Sequence, residues 1–137
     1  MRSLKQQTDV LIVEIEKTRA YYQTVHPADL CDCEGCRHYR ANVRRLFPQI
    51  AKCFDSLGMD IEKPFSVSYV EMEKENKMLY MACCYVAFGD CGQDFRRMID
   101  GAVLTCAGAC PDSGVEEPHI ELEIQKLEMP YPKEENS

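Results

Sequence analysis

Most of the regular hydrophobic patterning in this chain is typical of β-strands, in which alternate side chains face opposite sides of a sheet. Five segments show this alternation or the apolar run of a strand buried on both faces: residues 10–18, 65–73, 78–88, 102–106 and 120–125. In the second segment the parity of the apolar positions changes between Tyr69 and Val70, as one extra residue in a bulged strand would cause. The pattern therefore predicts about four to five strands, one of them bulged.

The period of an α-helix appears in residues 36–57. On a helix that advances about 100° per residue, the apolar residues of this segment fall within an arc of about 120°, and the basic residues fall opposite. Pro48 lies inside the pattern, so the segment forms either one kinked helix or two helices in line. Gly58 stands where a left-handed residue commonly ends a helix. A weaker helical pattern, of one or two turns, covers residues 93–100.

These elements predict an α+β fold, with one main amphipathic helix packed on an antiparallel sheet of about four to five strands. Short turns between consecutive strands favour antiparallel pairing, and the apolar stripe of the helix needs a sheet face to cover it. No segment has the composition of a linker, so residues 1–137 are expected to form a single domain, with loose termini at residues 1–7 and 130–137. An open sheet edge would also allow a homodimer.

The charge balance is acidic, with 16 basic against 23 acidic residues and a net charge of −7. This weighs against a nucleic-acid partner and against attachment to an anionic lipid surface by charge. No apolar run approaches the roughly 20 residues of a membrane span. The apolar run near the start is too short, and too close to Glu14 and Glu16, for a signal peptide. A cytoplasmic protein without a membrane partner is expected.

The sharpest chemical feature is a Cys-x-Cys-x2-Cys motif formed by Cys31, Cys33 and Cys36, directly before the main helix. Short spacings let a loop wrap a zinc ion, which thiolates bind at about 2.3 Å, and a helix N-terminus favours the thiolate over the thiol. Gly35 would permit the tight turn between them. A structural zinc site needs a fourth ligand, for which the candidates are His26, His38, Cys53 or a cysteine of the sheet.

Two other interpretations of these cysteines stay open. One is free thiols at a junction of loop and helix. The other is thiol redox chemistry by Cys33 and Cys36, since exchange enzymes place such a pair at a helix N-terminus, although they place it after a buried strand and residues 26–30 do not form one. The remaining cysteines are interpreted as buried or free thiols rather than as a second metal site: Cys83, Cys84, Cys91, Cys106 and Cys110.

The polar face of the main helix is basic, and no acidic residue lies between positions 37 and 52. It suggests a face for an anion or an acidic partner, formed by Arg37, Arg40, Arg44 and Arg45. The alternative is an ordinary solvated face paired with the protein's own carboxylates.

Five segments are informative when they are taken together and in order: residues 17–22, 30–39, 54–65, 119–124 and 129–131. In this order they resemble a family of short proteins from Gram-positive bacteria that has no established activity. The second segment, which holds the cysteine motif, is the most specific, whereas Tyr131 stands where the family usually has Trp. The resemblance implies a single domain, a bacterial cytosolic setting and a cysteine cluster shared by the family, but no chemistry.

Three functional hypotheses follow. The first is a small cytosolic protein without enzymatic activity that binds another protein or a small ligand through its sheet or its basic helix face. The second is a zinc-binding module that uses Cys31, Cys33, Cys36 and a fourth ligand. Thiol redox activity is the third. The sequence has no glycine-rich phosphate loop, zinc-protease motif or nucleophile elbow, so an enzyme is the less expected class.

Overall fold

The computed structural model describes residues 10–106 and 111–131 of the 137-residue chain. Its helices are α1 (Ile15–Thr24), α2 (Glu34–Leu46) and α3 (Pro48–Ser56). Its strands are β1 (Leu11–Val13), β2 (Ser66–Met72), β3 (Lys77–Ala87), β4 (Gly89–Cys91), β5 (Arg96–Ile99), β6 (Ala102–Cys106), β7 (Ile120–Gln125) and β8 (Leu127–Pro130).

The α+β class is confirmed, but the predicted numbers of helices and strands are wrong. The described residues form three helices, a six-stranded antiparallel sheet and a separate two-stranded sheet. The long helical pattern divides at Phe47, because Pro48 has no backbone N–H to continue α2 and is favoured at the start of α3. Gly58 follows α3 with φ +79°, as its position predicts.

Strand β3 is the centre of the sheet, whose order is β2-β3-β7-β6-β5. The second half of β3 pairs with β7, and its first half pairs with β8. On its other side it pairs with β2, whose register shifts between Ser68 and Tyr69. An irregular pairing at this point is confirmed, but the extra residue is not in β2 as predicted. It is Met81 of β3, because Ser68 pairs with Ala82 and Tyr69 pairs with Tyr80.

The strand predicted over residues 10–18 is wrong beyond Val13. Ile15 continues the alternation of Leu11 and Val13, but it begins α1, and the buried residues of that helix are Thr18 and Tyr22, which are one helical turn apart. An alternation of three apolar residues is thus too short to distinguish a strand from the start of a helix.

The helical turns predicted at residues 93–100 are also wrong, because Arg96–Ile99 is strand β5. It pairs with β6 through a two-residue turn in which Asp100 and Gly101 have φ +54° and +81°. Positive φ at both central residues defines the type I′ hairpin turn, for which Asp-Gly is a preferred sequence.

One face of the sheet carries the core, and α2 and α3 cover it. Tyr39 of α2 packs on Tyr80 with 5.0 Å between ring centroids, and Phe54 of α3 packs on Tyr85 at 4.8 Å. The buried Tyr85 hydroxyl donates to the carbonyl of Ile61 at 2.7 Å and lies 2.5 Å from the Tyr39 hydroxyl. The helices are therefore fixed to the sheet by both ring packing and buried hydrogen bonds.

The chain beyond β8 stays in contact with the sheet and with α2. Pro130 pairs with Lys77, and the backbone N–H of Tyr131 donates to Asn76 at 2.8 Å. The loose tail predicted from residue 130 is therefore wrong for Pro130 and Tyr131, while residues 1–7 and 132–137 lie outside the described part. None of the described helices is long and apolar enough to cross a membrane.

Candidate metal centre

The three cysteines of the motif lie where the chain enters α2. A 3-10 turn at Pro27–Asp29 precedes them, Cys33 is the residue that caps the helix in extended conformation, and Cys36 lies in the first helical turn. Cys31 and Cys33 are exposed, whereas Cys36 is 4% exposed. A helix start brings residues three apart onto one side, so the local fold alone directs these thiols towards each other.

All three sulfur atoms lie within 4.8 Å of one another. Two sulfurs bound to the same zinc ion at about 2.3 Å are about 3.8 Å apart in tetrahedral geometry. A shift of about 1 Å or less in the exposed loop would bring the cluster to that spacing. Within the described residues, this cysteine cluster (Cys31, Cys33 and Cys36) is the one group of three or more potential ligands at metal-binding distance.

The surroundings favour the thiolate at Cys33. The pKa of Cys33 falls from 9.0 to about 6, chiefly because the Tyr69 hydroxyl lies 3.2 Å from its sulfur, and also because of the backbone N–H of Cys36 and the neighbouring thiols. The pKa of Cys36 is raised, first by burial and then by its hydrogen bonds with Cys33 and Cys31. At neutral pH one exposed thiolate therefore stands beside a buried thiol.

Tyr69 is the functional side chain that the sequence analysis missed. Its ring packs over Gly35, where an added Cβ would lie 2.1 Å from the ring carbon that carries the hydroxyl. Gly35 is helical rather than part of a tight turn, so the predicted reason for this glycine is wrong, and its role is to let the Tyr69 ring approach. The signal in the sequence was the parity change at Tyr69, which indicated an irregular strand pairing but not the contact.

Further contacts fix the backbone around the cluster. The buried Tyr80 hydroxyl donates to the carbonyl of Gly35 at 2.6 Å, and Arg40 donates to the carbonyl of Cys31 at 2.6 Å. The Tyr131 hydroxyl donates to the Glu34 carboxylate. Sheet, helix and C-terminal strand therefore all hold the segment that carries the thiols.

The candidates for a fourth ligand lie outside this group. His38 donates from Nε2 to the carbonyl of Pro130 at 2.9 Å, and its Nδ1 lies 3.3 Å from the Asn42 amide, so both ring nitrogens have other partners. Cys53 lies half-buried in α3, and burial raises its pKa. His26 is exposed before the 3-10 turn. None of the three belongs to the cysteine cluster.

The arginines of the predicted anion face each have an acceptor within the chain. Arg44 contacts three carboxylates, those of Asp55, Asp60 and Glu62, at 3.0, 3.5 and 2.9 Å. The acceptors of the others are the Asp32 carboxylate for Arg37, the Cys31 carbonyl for Arg40 and the Asn42 side chain for Arg45. This arrangement favours the solvated-face interpretation for Arg44, and an anion or partner face stays a prediction.

A cleft of about 350 Å³ opens beside the cluster. Cys31 and Cys36 line it together with Arg40 and with hydroxyl-bearing side chains of Tyr21 and Ser66. Cys33 is not in this lining; its sulfur contacts Tyr69 instead. The cluster thus has one side capped by a tyrosine and another side that faces a cleft.

The other described cysteines behave differently. Cys91 of β4 and Cys106 of β6 form a disulfide with 6.3 Å between their Cα atoms, and Cys84 is also disulfide-bonded. The interpretation of Cys91 and Cys106 as free thiols is therefore wrong, because strands distant in the sequence bring their sulfurs together. Cys84 is buried, as predicted for a core residue, although it is disulfide-bonded. Cys83 is buried and free, as predicted for a core residue, and Cys110 lies outside the described part.

A second polar cluster lies around His119. The Nε2 atom of His119 is 3.0 Å from the Ser113 hydroxyl and 3.2 Å from the Glu121 carboxylate, and Nδ1 is 2.7 Å from the carbonyl of Glu117. A catalytic triad places the nucleophile and the carboxylate on opposite nitrogens of the imidazole. Because Ser113 and Glu121 share one nitrogen, this cluster does not have the arrangement of a triad.

Comparisons of the chain with protein-family models, with curated proteins and with solved structures give no match. The resemblance to the Gram-positive family stays a prediction.

Proposed function

We propose that this protein is a metal-binding module in which Cys31, Cys33 and Cys36 hold one thiophilic ion, with Zn²⁺ as the first candidate. The observation that carries the proposal is that the three sulfur atoms lie within 4.8 Å of one another. Soft thiolate ligands select Zn²⁺ and Cu⁺ over the hard ions Mg²⁺ and Ca²⁺.

The protonation states of the cluster support the same proposal. Cys33 is already a thiolate at neutral pH, since its pKa is about 6, and it can capture the ion first. Cys36 is buried with a raised pKa, and a metal ion deprotonates a coordinating thiol outright. Binding therefore releases protons and becomes tighter as the pH rises.

The test is the metal content of the protein, purified without a histidine tag and measured by elemental analysis, followed by Co²⁺ titration. We expect one ion per chain and a sulfur-to-cobalt charge-transfer band that is lost in Cys33→Ser. Cys53→Ser is the matched control, because it removes a free cysteine outside the cluster, and it should bind metal as the wild type does. Protein that takes up no ion, or that loses it equally in Cys53→Ser, would contradict the proposal.

A second candidate function, thiol–disulfide exchange, is favoured by the pairing of an exposed Cys33 with a buried Cys36. The Cys33 thiolate would attack a substrate disulfide and release one thiolate. Cys36, after losing its proton, would then attack the Cys33 sulfur and release the second, so that the protein is oxidised by two electrons and the substrate is reduced. Metal-free protein in which a disulfide reagent yields a Cys33–Cys36 disulfide would support this candidate instead.

The interaction protein, which was the leading hypothesis from the sequence, stays a prediction, as do the homodimer and the cytoplasmic location. The cysteine geometry gives the metal hypothesis the more specific support, because it names the ligand atoms and the class of ion.

A further inference from the structure

We propose that the bound ion keeps its fourth coordination position for an external ligand, and that this ligand is a small thiol carrying a carboxylate. The inference rests on the proposed metal function and goes beyond it in naming what occupies the open position. Three features of the site support it: the incomplete ligand set, the cleft on one side of the cluster and the basic residue in the wall of that cleft.

The ligand set is the first observation. Structural zinc sites are closed by four protein ligands, whereas sites that act on a small molecule use three protein ligands and leave one position to water or substrate. Within the described residues the cluster contains three sulfurs and no histidine or carboxylate. Both ring nitrogens of His38, the candidate nearest in sequence, have other partners.

The position of the cleft is the second observation. Cys31 and Cys36 line a space of about 350 Å³, which lies at the small end of the range for ligand sites. The Tyr69 hydroxyl occupies the side of Cys33. A fourth ligand therefore approaches from the side of Cys31 and Cys36, where there is room for a molecule of a few heavy atoms.

The charge of the wall is the third observation. Arg40 is the one basic residue among the described residues that line the cleft. It is half-buried, and one of its N–H groups donates to the Cys31 carbonyl. A guanidinium carries five N–H donors, so Arg40 can still bind a carboxylate through a charge-assisted pair. Asp29 is the one carboxylate of this wall, but it is exposed, and solvent screens its repulsion.

The ligand preference of the ion determines which group of the incoming molecule coordinates it. A thiophilic ion held by three thiolates binds a further soft sulfur ligand in preference to a hard oxygen ligand. The incoming thiol coordinates as its thiolate and releases its proton to solvent. Its carboxylate then faces Arg40, and hydroxyl groups of the wall, such as that of Ser66, can contact the stem between the two ends.

The experiment uses the full chain loaded with Co²⁺ and titrated with two thiols of similar size, 3-mercaptopropionate and uncharged 2-mercaptoethanol. Gel filtration after each titration checks that the cobalt remains on the protein. We expect each thiol to intensify the charge-transfer band, and 3-mercaptopropionate to bind about tenfold more tightly, the effect of one charge-assisted pair. Arg40→Gln should remove this preference. The readout is a ratio of two affinities on loaded protein, so a change in metal affinity cancels.

Arg45→Gln is the matched control, since Arg45 is an exposed arginine of the same helix that contacts Asn42 and does not line the cleft. It should keep the preference. A loaded protein whose spectrum does not respond to either thiol, or which binds both equally, would overturn this inference and leave the metal function standing. A protein that takes up no Co²⁺ at all would instead refute the proposed function itself.

Discussion

The cysteine cluster and the Cys91–Cys106 pair use the same side chain in opposite ways. In the cluster, three thiols from six consecutive residues lie at the start of one helix, stay free and are surrounded by hydrogen-bond donors. The pair joins β4 to β6 across 15 residues of sequence and is oxidised. In the cluster, neighbouring residues supply the thiols, and the pKa of Cys33 is lowered. In the pair, residues distant in the sequence are joined by a covalent bond.

This difference shows that spacing in the sequence says little about the state of a cysteine. Cys91 and Cys106 are 15 residues apart in the sequence, yet the fold brings β4 of the small sheet against β6 of the large sheet and places their Cα atoms 6.3 Å apart, within the range that a disulfide needs. In the cluster, the decisive contact is with Tyr69, which comes from a strand more than 30 residues away. If the two regions are independent, a substitution in one should leave the other unchanged.

The largest expected effect is stabilisation by metal. A ligand that binds only the folded state, at a free concentration of about 1000 times its Kd, raises the free energy of unfolding by about 4 kcal/mol. We expect zinc to raise the free energy of unfolding of the wild type by this amount, and not to raise that of Cys36→Ser. The measurement is urea unfolding with zinc and with chelator. The Cys91→Ser/Cys106→Ser double variant should keep the gain. Retention of the full gain in Cys36→Ser would contradict the assignment of this ligand.

The second effect is loss of the disulfide. Closing a loop of 15 residues restricts the unfolded chain and is worth about 3 kcal/mol. We expect the Cys91→Ser/Cys106→Ser double variant to be less stable than the wild type by about this amount in unfolding experiments without reductant. Its metal affinity should stay within about twofold of the wild type, because additivity holds for separate sites. A large loss of metal affinity would show that the two regions are coupled.

The third effect concerns Tyr69 and Gly35. Partners that hold a metal ligand through a hydrogen bond contribute about 10- to 100-fold to affinity. We expect the metal affinity of Tyr69→Phe to fall by that factor, as measured by competition with a chromophoric chelator. The metal affinity of Gly35→Ala should fall by a similar factor, because the added Cβ displaces the Tyr69 ring. Because both act on one contact, the double variant should lose no more than either single variant.

Val70→Ala is the control for this pair, since Val70 neighbours Tyr69 on β2 and is 40% exposed. It should leave the metal affinity unchanged. Additive losses in the double variant would show that Gly35 and Tyr69 act separately, against the geometry described above.

Local patterns were sufficient for much of the fold and for part of the site. The helix break at Pro48 and the cysteine motif depend on residues close together in the sequence, and each could be predicted. The irregular pairing near Tyr69 could also be predicted, but its extra residue, Met81, belongs to the neighbouring strand β3. The β5–β6 hairpin could also have been found, because the Asp100-Gly101 pair is a preferred type I′ turn. It was missed because the apolar residues before that pair also fit a short helical pattern.

The remaining features depend on contacts between distant segments. The packing of Tyr69 on Gly35 and the Cys91–Cys106 disulfide have no local signature, since neither hydrophobic period nor turn chemistry specifies which strand faces which helix. The cleft likewise combines residues of α1, α2, β2 and the loop before β7. Such sites emerge only once the sheet order is known.

The smallest effect is a pH dependence carried by Cys33. Its folded pKa of about 6 is lowered from 9.0, so its contribution to stability is present above pH 9 and is lost as the pH falls through 6. The contribution of Cys36 to stability has the opposite pH dependence. Because the pKa of Cys36 is raised, this contribution is complete below pH 9 and is lost only at higher pH. Between pH 6 and 9 the stability of metal-free protein should therefore rise weakly with pH, since solvent screens the exposed Cys33.

The rate of alkylation by iodoacetamide measures the same thiolate directly, because only the thiolate reacts. In chelator-treated protein, with modification located by peptide mass spectrometry, the rate at Cys33 should reach half its maximum near pH 6. Tyr69→Phe should move that midpoint upward, because the largest cause of the low pKa is removed, while Cys53→Ser should leave it in place. A midpoint near the ordinary thiol pKa in the wild type, unmoved by Tyr69→Phe, would mean that the hydroxyl does not stabilise the thiolate. The contrast between the two cysteine regions would then rest on the disulfide alone.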